Sequence, residues 1–243
     1  MSTLALDPAS YPAYAAECGD PSRTKVLGFG QRPALLLLDV CEAYFDPSSP
    51  IAVDVASLER VTPAISALIR AARAIDEEGE GGGQGRKDKL PIIFAQTMFV
   101  HPELRDAGLL GRKTPSHAAL FRRDGPTSKI AFPAALADVK PAPSDLYHRK
   151  QYPSPFFGTN LASQLAALGI DTVVLGGFAT SGSVRAAALD AMQAGFRPMV
   201  VAEACGDSGG REAHWANLFD VGAKYSDVVS LEAAVKALRT CSA

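Results

Sequence analysis

The chain has 243 residues, of which 47% are apolar and 21% charged, with 24 Lys and Arg against 26 Asp and Glu for a formal net charge of -2. This is the composition of a globular protein, long enough for one α/β domain with a large core, and it argues against a disordered segment. The near-neutral balance argues against a dedicated nucleic-acid binder, and no apolar run approaches the ~18 residues of a membrane helix.

Residues 1–16 lack the basic and then apolar stretches of a secretory signal, so the expected location is the cytoplasm. The four cysteines, Cys18, Cys41, Cys205 and Cys241, form no C-x-x-C pair and match no zinc spacing. They read as reduced, incidental thiols.

Residues 1–30 are rich in Ala, Pro, Ser and Gly and predict an arm, with a single α/β domain over 31–243. Ala34-Leu-Leu-Leu-Leu-Asp39 is a short continuous apolar run, as in a strand buried on both faces. Apolar residues at helical spacing predict a helix over 61–75. The Gly-rich, charged stretch 77–89 predicts a surface loop, since no strand leads into it. A second strand is predicted over 90–97, and 98–143 reads as loops and short helices. A short strand over 145–149 follows. Thr159 or Asn160 then caps a helix with apolar face Leu161, Leu165 and Leu168. Residues 171–177 are the most strand-like run, followed by a helix over 184–194 and a strand over 197–203. A helix over 212–221, a strand over 227–229 and a helix over 231–238 complete the chain. Strands of this buried type alternating with helices predict a doubly wound, mainly parallel sheet.

In such sheets the site lies beyond the carboxyl ends of the strands. That rule selects Asp39, the segment around Lys150, and the turn 176–183. Asp39 either caps the next turn or faces the crevice as a general base. A lysine beside a carboxylate stabilises negative charge. The turn presents free N–H groups at a helix start, where an oxyanion finds donors. It lacks the Lys of a phosphate loop, and Gly-x-Ser-x-Gly is absent. His101, His117, His148 and His214 are scattered and form no i, i+4 metal pair.

Taken together, these segments resemble the isochorismatase-like superfamily, also called cysteine hydrolases. The likeness rests on Leu35-Leu-Leu-Leu-Asp39, Lys150-Gln-Tyr-Pro-Ser-Pro-Phe-Phe-Gly-Thr159 and Thr180-Ser-Gly-Ser-Val-Arg-Ala-Ala-Ala-Leu-Asp190. It continues through Arg197-Pro-Met-Val-Val-Ala-Glu-Ala-Cys-Gly-Asp207, His214 and Asn217-Leu-Phe-Asp220, and it spans residues 25–235. Within the family it points to amidohydrolases of the carbamoylsarcosine and maleamate type.

The resemblance implies a catalytic triad of Asp39, Lys150 and the residue at 183, where the family has cysteine and this chain has Ser183. It implies a cis peptide at Phe178–Ala179 and an oxyanion hole from the amides of Ala179 and Ser183. Three readings of Ser183 stand: a cysteine-to-serine change that traps ligands, a serine attacking a more reactive carbonyl, or a member that no longer hydrolyses. The last includes a non-hydrolytic acid–base enzyme and a silent ligand-binding protein. Cys41, two residues after Asp39, is either a relocated nucleophile or a buried thiol. The Arg expected to hold a substrate carboxylate is replaced by Ser208, so that either Arg211 substitutes or the substrate lacks the carboxylate. Phe99, Tyr152, Phe157 and Thr180 complete the candidate substrate contacts. Thr97-Met-Phe-Val-His-Pro-Glu-Leu104 lacks the histidine cluster of the metal-binding branch, so no metal or other cofactor is expected. The implied partners are a small-molecule substrate and further copies of the chain, as a homodimer or homotetramer. Asp39→Asn and Lys150→Ala are expected to abolish turnover without unfolding the protein.

Overall fold

The computed structural model describes residues 25–78 and 90–240. Most of the expected arm and of the Gly-rich loop, together with Cys18 and Cys241, lies outside the described residues. The strands are β1 (Pro33–Leu38), β2 (Ile92–Thr97), β3 (Leu146–Lys150), β4 (Thr172–Phe178), β5 (Arg197–Gly206) and β6 (Asp227–Val229). They form one sheet in the order β3-β2-β1-β4-β5-β6, parallel at every pairing. The helices are α1 (Glu42–Phe45), α2 (Val55–Glu78), α3 (Gly108–Lys113), α4 (Pro115–Leu120), α5 (Leu161–Ala167), α6 (Arg185–Gln193), α7 (Gly210–Lys224) and α8 (Leu231–Thr240). No described helix is long and apolar enough to cross a membrane.

The unbroken leucine run of β1 has a simple cause. Side chains alternate between the faces of a strand, and both faces of this one are buried. Leu35 and Leu37 pack with Val61, Ile65 and Leu68 of α2 and Leu238 of α8. Ala34, Leu36 and Leu38 pack with Leu165 of α5, Ala187 and Ala191 of α6 and Leu218 of α7. Burying each of these leucines stabilises the fold by about 1.5–3 kcal/mol.

Two departures from expectation have a clear local cause. Helix α2 begins at Val55, not residue 61, because Asp54 caps it. The Asp54 Oδ1 accepts the Ser57 N–H at 2.9 Å, and the Asp54 carbonyl accepts the Leu58 N–H at 3.0 Å. Leu168 does not join the buried face of α5 and is 42% exposed. The helix stops at Ala167, and Gly169 at φ +66° turns the chain away.

The strand order reverses between β1 and β4. Helix α2 leaves β1 toward one face, and α6 leaves β4 toward the other, which opens a crevice at their carboxyl ends. Gly177 allows the two strands to approach there. It sits at φ +114°, and a Cβ on it would fall 2.1 Å from the Leu38 carbonyl oxygen.

Candidate active site

Four adjacent strand ends deliver the polar groups of the site. Asp39 is the first residue after β1, at φ 48°, and its amide donates to the Ala95 carbonyl of β2 at 2.9 Å. Its Oδ1 accepts the Thr97 amide at 2.6 Å. Lys150 ends β3 in register with Thr97, which ends β2. The Lys150 ammonium donates to Asp39 Oδ2 at 2.7 Å, to Thr97 Oγ1 at 2.6 Å and to Ser183 Oγ at 3.1 Å. The Tyr152 carbonyl lies farther off, at 3.4 Å. Ser183 Oγ donates to Asp39 Oδ2 at 2.7 Å. Asp39 and Lys150 are each 1% exposed. Charges buried this deeply persist only when paired and hydrogen-bonded, and here every proton of the ammonium has an acceptor.

Ser183 lies in Thr180–Val184, a single wide turn that leads from β4 into α6. The Val184 and Gly182 amides both donate to the Ala179 carbonyl at 3.1 Å, and the first of these is an i→i+5 bond. The peptide bond Phe178–Ala179 is cis, as the resemblance implies. The end of β5 anchors the turn. Asp207 Oδ2 accepts the Ser181 amide at 2.6 Å, while its Oδ1 accepts the Gly209 amide at 2.8 Å. Thr180 Oγ1 donates to the Gly206 carbonyl at 3.1 Å and lies 2.8 Å from His214 Nδ1. Burial pushes the His214 imidazole down to about 3, so the ring is neutral at physiological pH. Its Nε2 is buried without a hydrogen-bond partner among the described residues.

The Asp39 and Ser183 side chains open into a cavity of about 220 Å³. Asp39, Thr97, Ala179, Gly182 and Ser183 line its reacting end, and Tyr44, Phe99, Leu110, Thr114, His117 and Phe121 its wall. Tyr44 stacks on Phe178 at 4.9 Å. Burial and then the Asp39 charge hold its hydroxyl well above the usual range, so it stays protonated.

The structure brings Asp39, Lys150 and Ser183 together and sets Ala179, Phe99 and Ser208 around the same cavity. It does not bring the remaining candidates there. Tyr152 and Phe157 are 40% and 60% exposed and pack edge to face at 5.0 Å beside a separate surface hollow. Tyr152 reaches the site only through its carbonyl. The Thr180 hydroxyl is held by Gly206 and His214, and Arg211 is exposed on the first turn of α7. Cys41 packs in the core. Burial first, and then the Asp39 charge, pushes its thiol up to about 12, so it is no thiolate nucleophile. Among the described residues no group of three or more His, Cys, Asp or Glu can hold a metal.

Sequence reasoning missed Thr97, Tyr44, Thr114 and His117 as site residues. Thr97 gains its role only from the parallel register of β2 and β3, and the others lie on segments without a regular period.

The isochorismatase domain matches residues 33–232. The chain belongs to this family. It is 37% identical over 213 residues to a maleamate amidohydrolase of Pseudomonas putida, covering 88% of this chain and 90% of that one. It is 28% identical over 217 residues to an N-carbamoylsarcosine amidase of an Arthrobacter species, covering 87% of this chain and 73% of that one. In fold it matches a cysteine hydrolase from Pseudomonas syringae pv. phaseolicola with a TM-score of 0.74 at 16% identity, covering 90% and 99% of the two chains. The six-stranded parallel sheet flanked by helices is thus the fold of isochorismatase-like hydrolases.

Proposed function

We propose that this isochorismatase-family chain hydrolyses a non-peptide C–N bond in a small amide or carbamoyl compound through a covalent acyl-enzyme. The observation that carries the reading is Ser183 Oγ, 2.7 Å from the Asp39 carboxylate and 3.1 Å from the Lys150 ammonium, at the end of a small cavity. The names of the relatives support it, since both curated relatives above are amidohydrolases. Ser183 attacks the amide carbon, and its proton passes to Asp39 Oδ2. The ammonium of Lys150 stabilises the charge developing on Oγ. The oxyanion is received by the amides of Ala179 and Ser183. Asp39 returns the proton to the leaving nitrogen, which departs as ammonia or an amine. Water, deprotonated by Asp39, then cleaves the ester. We place Ser183 where the family carries cysteine, a reading supported by its position in the turn from β4 into α6, within reach of Asp39 and Lys150. Unpaired, buried Cys41 and Cys205 support a reducing, cytoplasmic setting.

The test is ammonia release by the parent and by Ser183→Cys across carbamoyl compounds, maleamate and simple primary amides. A thiol is the more reactive nucleophile, so turnover is expected in Ser183→Cys at a rate at or above the parent's. Absence of ammonia from both forms on every compound overturns the proposal.

A further inference from the structure

Tyr44 is 7% exposed and borders the same cavity as Asp39 and Ser183. Its ring is held on both sides. It stacks on the fully buried Phe178 at 4.9 Å and 14°, and it tilts against Phe121 at 6.4 Å. Its amide donates to the Cys41 carbonyl at 3.1 Å, and its carbonyl accepts the Val53 amide at 3.0 Å. Its hydroxyl, by contrast, has no hydrogen-bond partner among the described residues. Unlike His214 Nε2, that hydroxyl is not sealed inside the protein, so it faces the free space of the cavity.

The rest of the wall leaves this donor without a neighbour to satisfy it. Phe99, Leu110 and Phe121 are apolar, and the Thr114 hydroxyl already donates to the Leu110 carbonyl at 3.0 Å. A small amide that fills about 220 Å³ displaces the water there. The Tyr44 hydroxyl is then paired only if the substrate itself brings an acceptor, and a buried donor left unpaired weakens binding.

The surroundings also set the charge of that acceptor. Burial first, and then the Asp39 charge, Cys41 and the Asp207 charge, push the hydroxyl up, so it keeps its proton near two carboxylates. No Lys or Arg among the described residues lines the cavity, and the buried Lys150 ammonium is already engaged by Asp39, Thr97 and Ser183. An anion beside Tyr44 would meet like charge with no lysine or arginine to offset it.

We infer that the Tyr44 hydroxyl binds the substrate directly, donating a hydrogen bond to an uncharged oxygen other than that of the carbonyl under attack. The substrate class is a small neutral amide with a second polar oxygen, of which a diamide is the simplest example. The assignment rests on the amidohydrolase reading for the reacting end and adds a specificity-determining residue to it.

Binding without turnover tests it. The Ser183→Ala protein is titrated calorimetrically with maleamide, maleamate and (Z)-4-methylpent-2-enamide. These share one shape and carry a carboxamide, a carboxylate and an isopropyl group opposite the amide. Maleamide is expected to bind most tightly. Adding Tyr44→Phe, which keeps the stacked ring, is expected to weaken maleamide by about 3–10-fold, the scale of a neutral hydrogen bond, and to leave the isopropyl analogue within about twofold. Maleamide weakened no more than the isopropyl analogue, maleamate bound more tightly than maleamide, or no maleamide binding to Ser183→Ala overturns the assignment. Failure of the hydrolase reading shows elsewhere: maleamide bound through Tyr44 with no ammonia released by the parent or Ser183→Cys leaves this assignment standing and removes that one.

Discussion

Ser183 Oγ lies 2.7 Å from Asp39 Oδ2 although the two residues are 144 positions apart, and the same oxygen accepts the Lys150 ammonium at 2.7 Å. One carboxylate oxygen thus serves as proton acceptor for the hydroxyl and as counter-ion for the lysine. The ammonium in turn touches Ser183 Oγ at 3.1 Å, where charge would develop during attack. The strand ends fix this triangle before any substrate arrives, and such preorganisation costs no rearrangement at the moment of reaction.

The burial of this pair changes what its variants should do. Asp39 and Lys150 are each 1% exposed, so Lys150→Met leaves a carboxylate, and Asp39→Asn an ammonium, without a buried counter-charge. Each variant is expected to lose about 3–5 kcal/mol. At about 2–4 °C per kcal/mol for a chain of this size, calorimetry should show Tm falling by roughly 6–20 °C. The double variant should recover at least half of the loss. A loss on this scale lowers Tm and is compatible with a folded protein, as the sequence expects of Asp39→Asn and Lys150→Ala; unchanged Tm in both single variants would contradict the coupling of the buried pair.

His214 predicts a pH dependence of stability. Burial holds its ring at about 3, against roughly 6.5 for an unfolded histidine. Between these values the unfolded chain binds the extra proton, so stability is present above pH ~6.5 and is lost as pH falls toward 3. The parent should lose up to about 1.4 kcal/mol per pH unit more than His214→Gln over pH 6 to 4, read from denaturant midpoints at each pH. Parallel profiles for the two proteins would show that His214 is not buried neutral beside Thr180.

Much of the fold was legible in the sequence because parallel strands buried on both faces leave continuous apolar runs, as at Leu35 to Leu38 and Val173 to Leu175. The segments holding Asp39 and Ser183 were legible for a related reason, since each follows such a strand, whereas Lys150 ends the partly exposed edge strand β3 and was legible from the family motif around it. The wall of the cavity was not. Leu110 and His117 belong to short helices without a usable period, Thr114 joins those helices, and the approach of all three to Asp39 depends on the path of residues 98–143. Aromatic character alone misplaced Tyr152 and Phe157. They follow Lys150 closely in sequence, yet their rings pack on each other at the surface. Thr180 was misread because a position beside the nucleophile does not reveal that its hydroxyl turns toward Gly206 and His214.

Gly177 supplies a test of the crevice itself. An alanine there combines φ +114° with a Cβ 2.1 Å from the Leu38 carbonyl oxygen, whereas Gly195, at φ +87°, has open space around its Cβ position. Gly195→Ala should cost only the ~1–3 kcal/mol of a strained backbone conformation. Gly177→Ala should cost clearly more, and should also reduce activity, because relief of the clash displaces the backbone that carries Asp39. Equal midpoints in urea for the two variants would contradict the close approach of β1 and β4.

The most direct test of the covalent account is the mass of the peptide carrying residue 183 after an acid quench during turnover of an amide substrate. The account predicts an added acyl mass on that peptide, as an ester in the parent and as a thioester in Ser183→Cys, and none in Ser183→Ala. Sustained ammonia release by Ser183→Ala, with no acyl mass on any form, would contradict it.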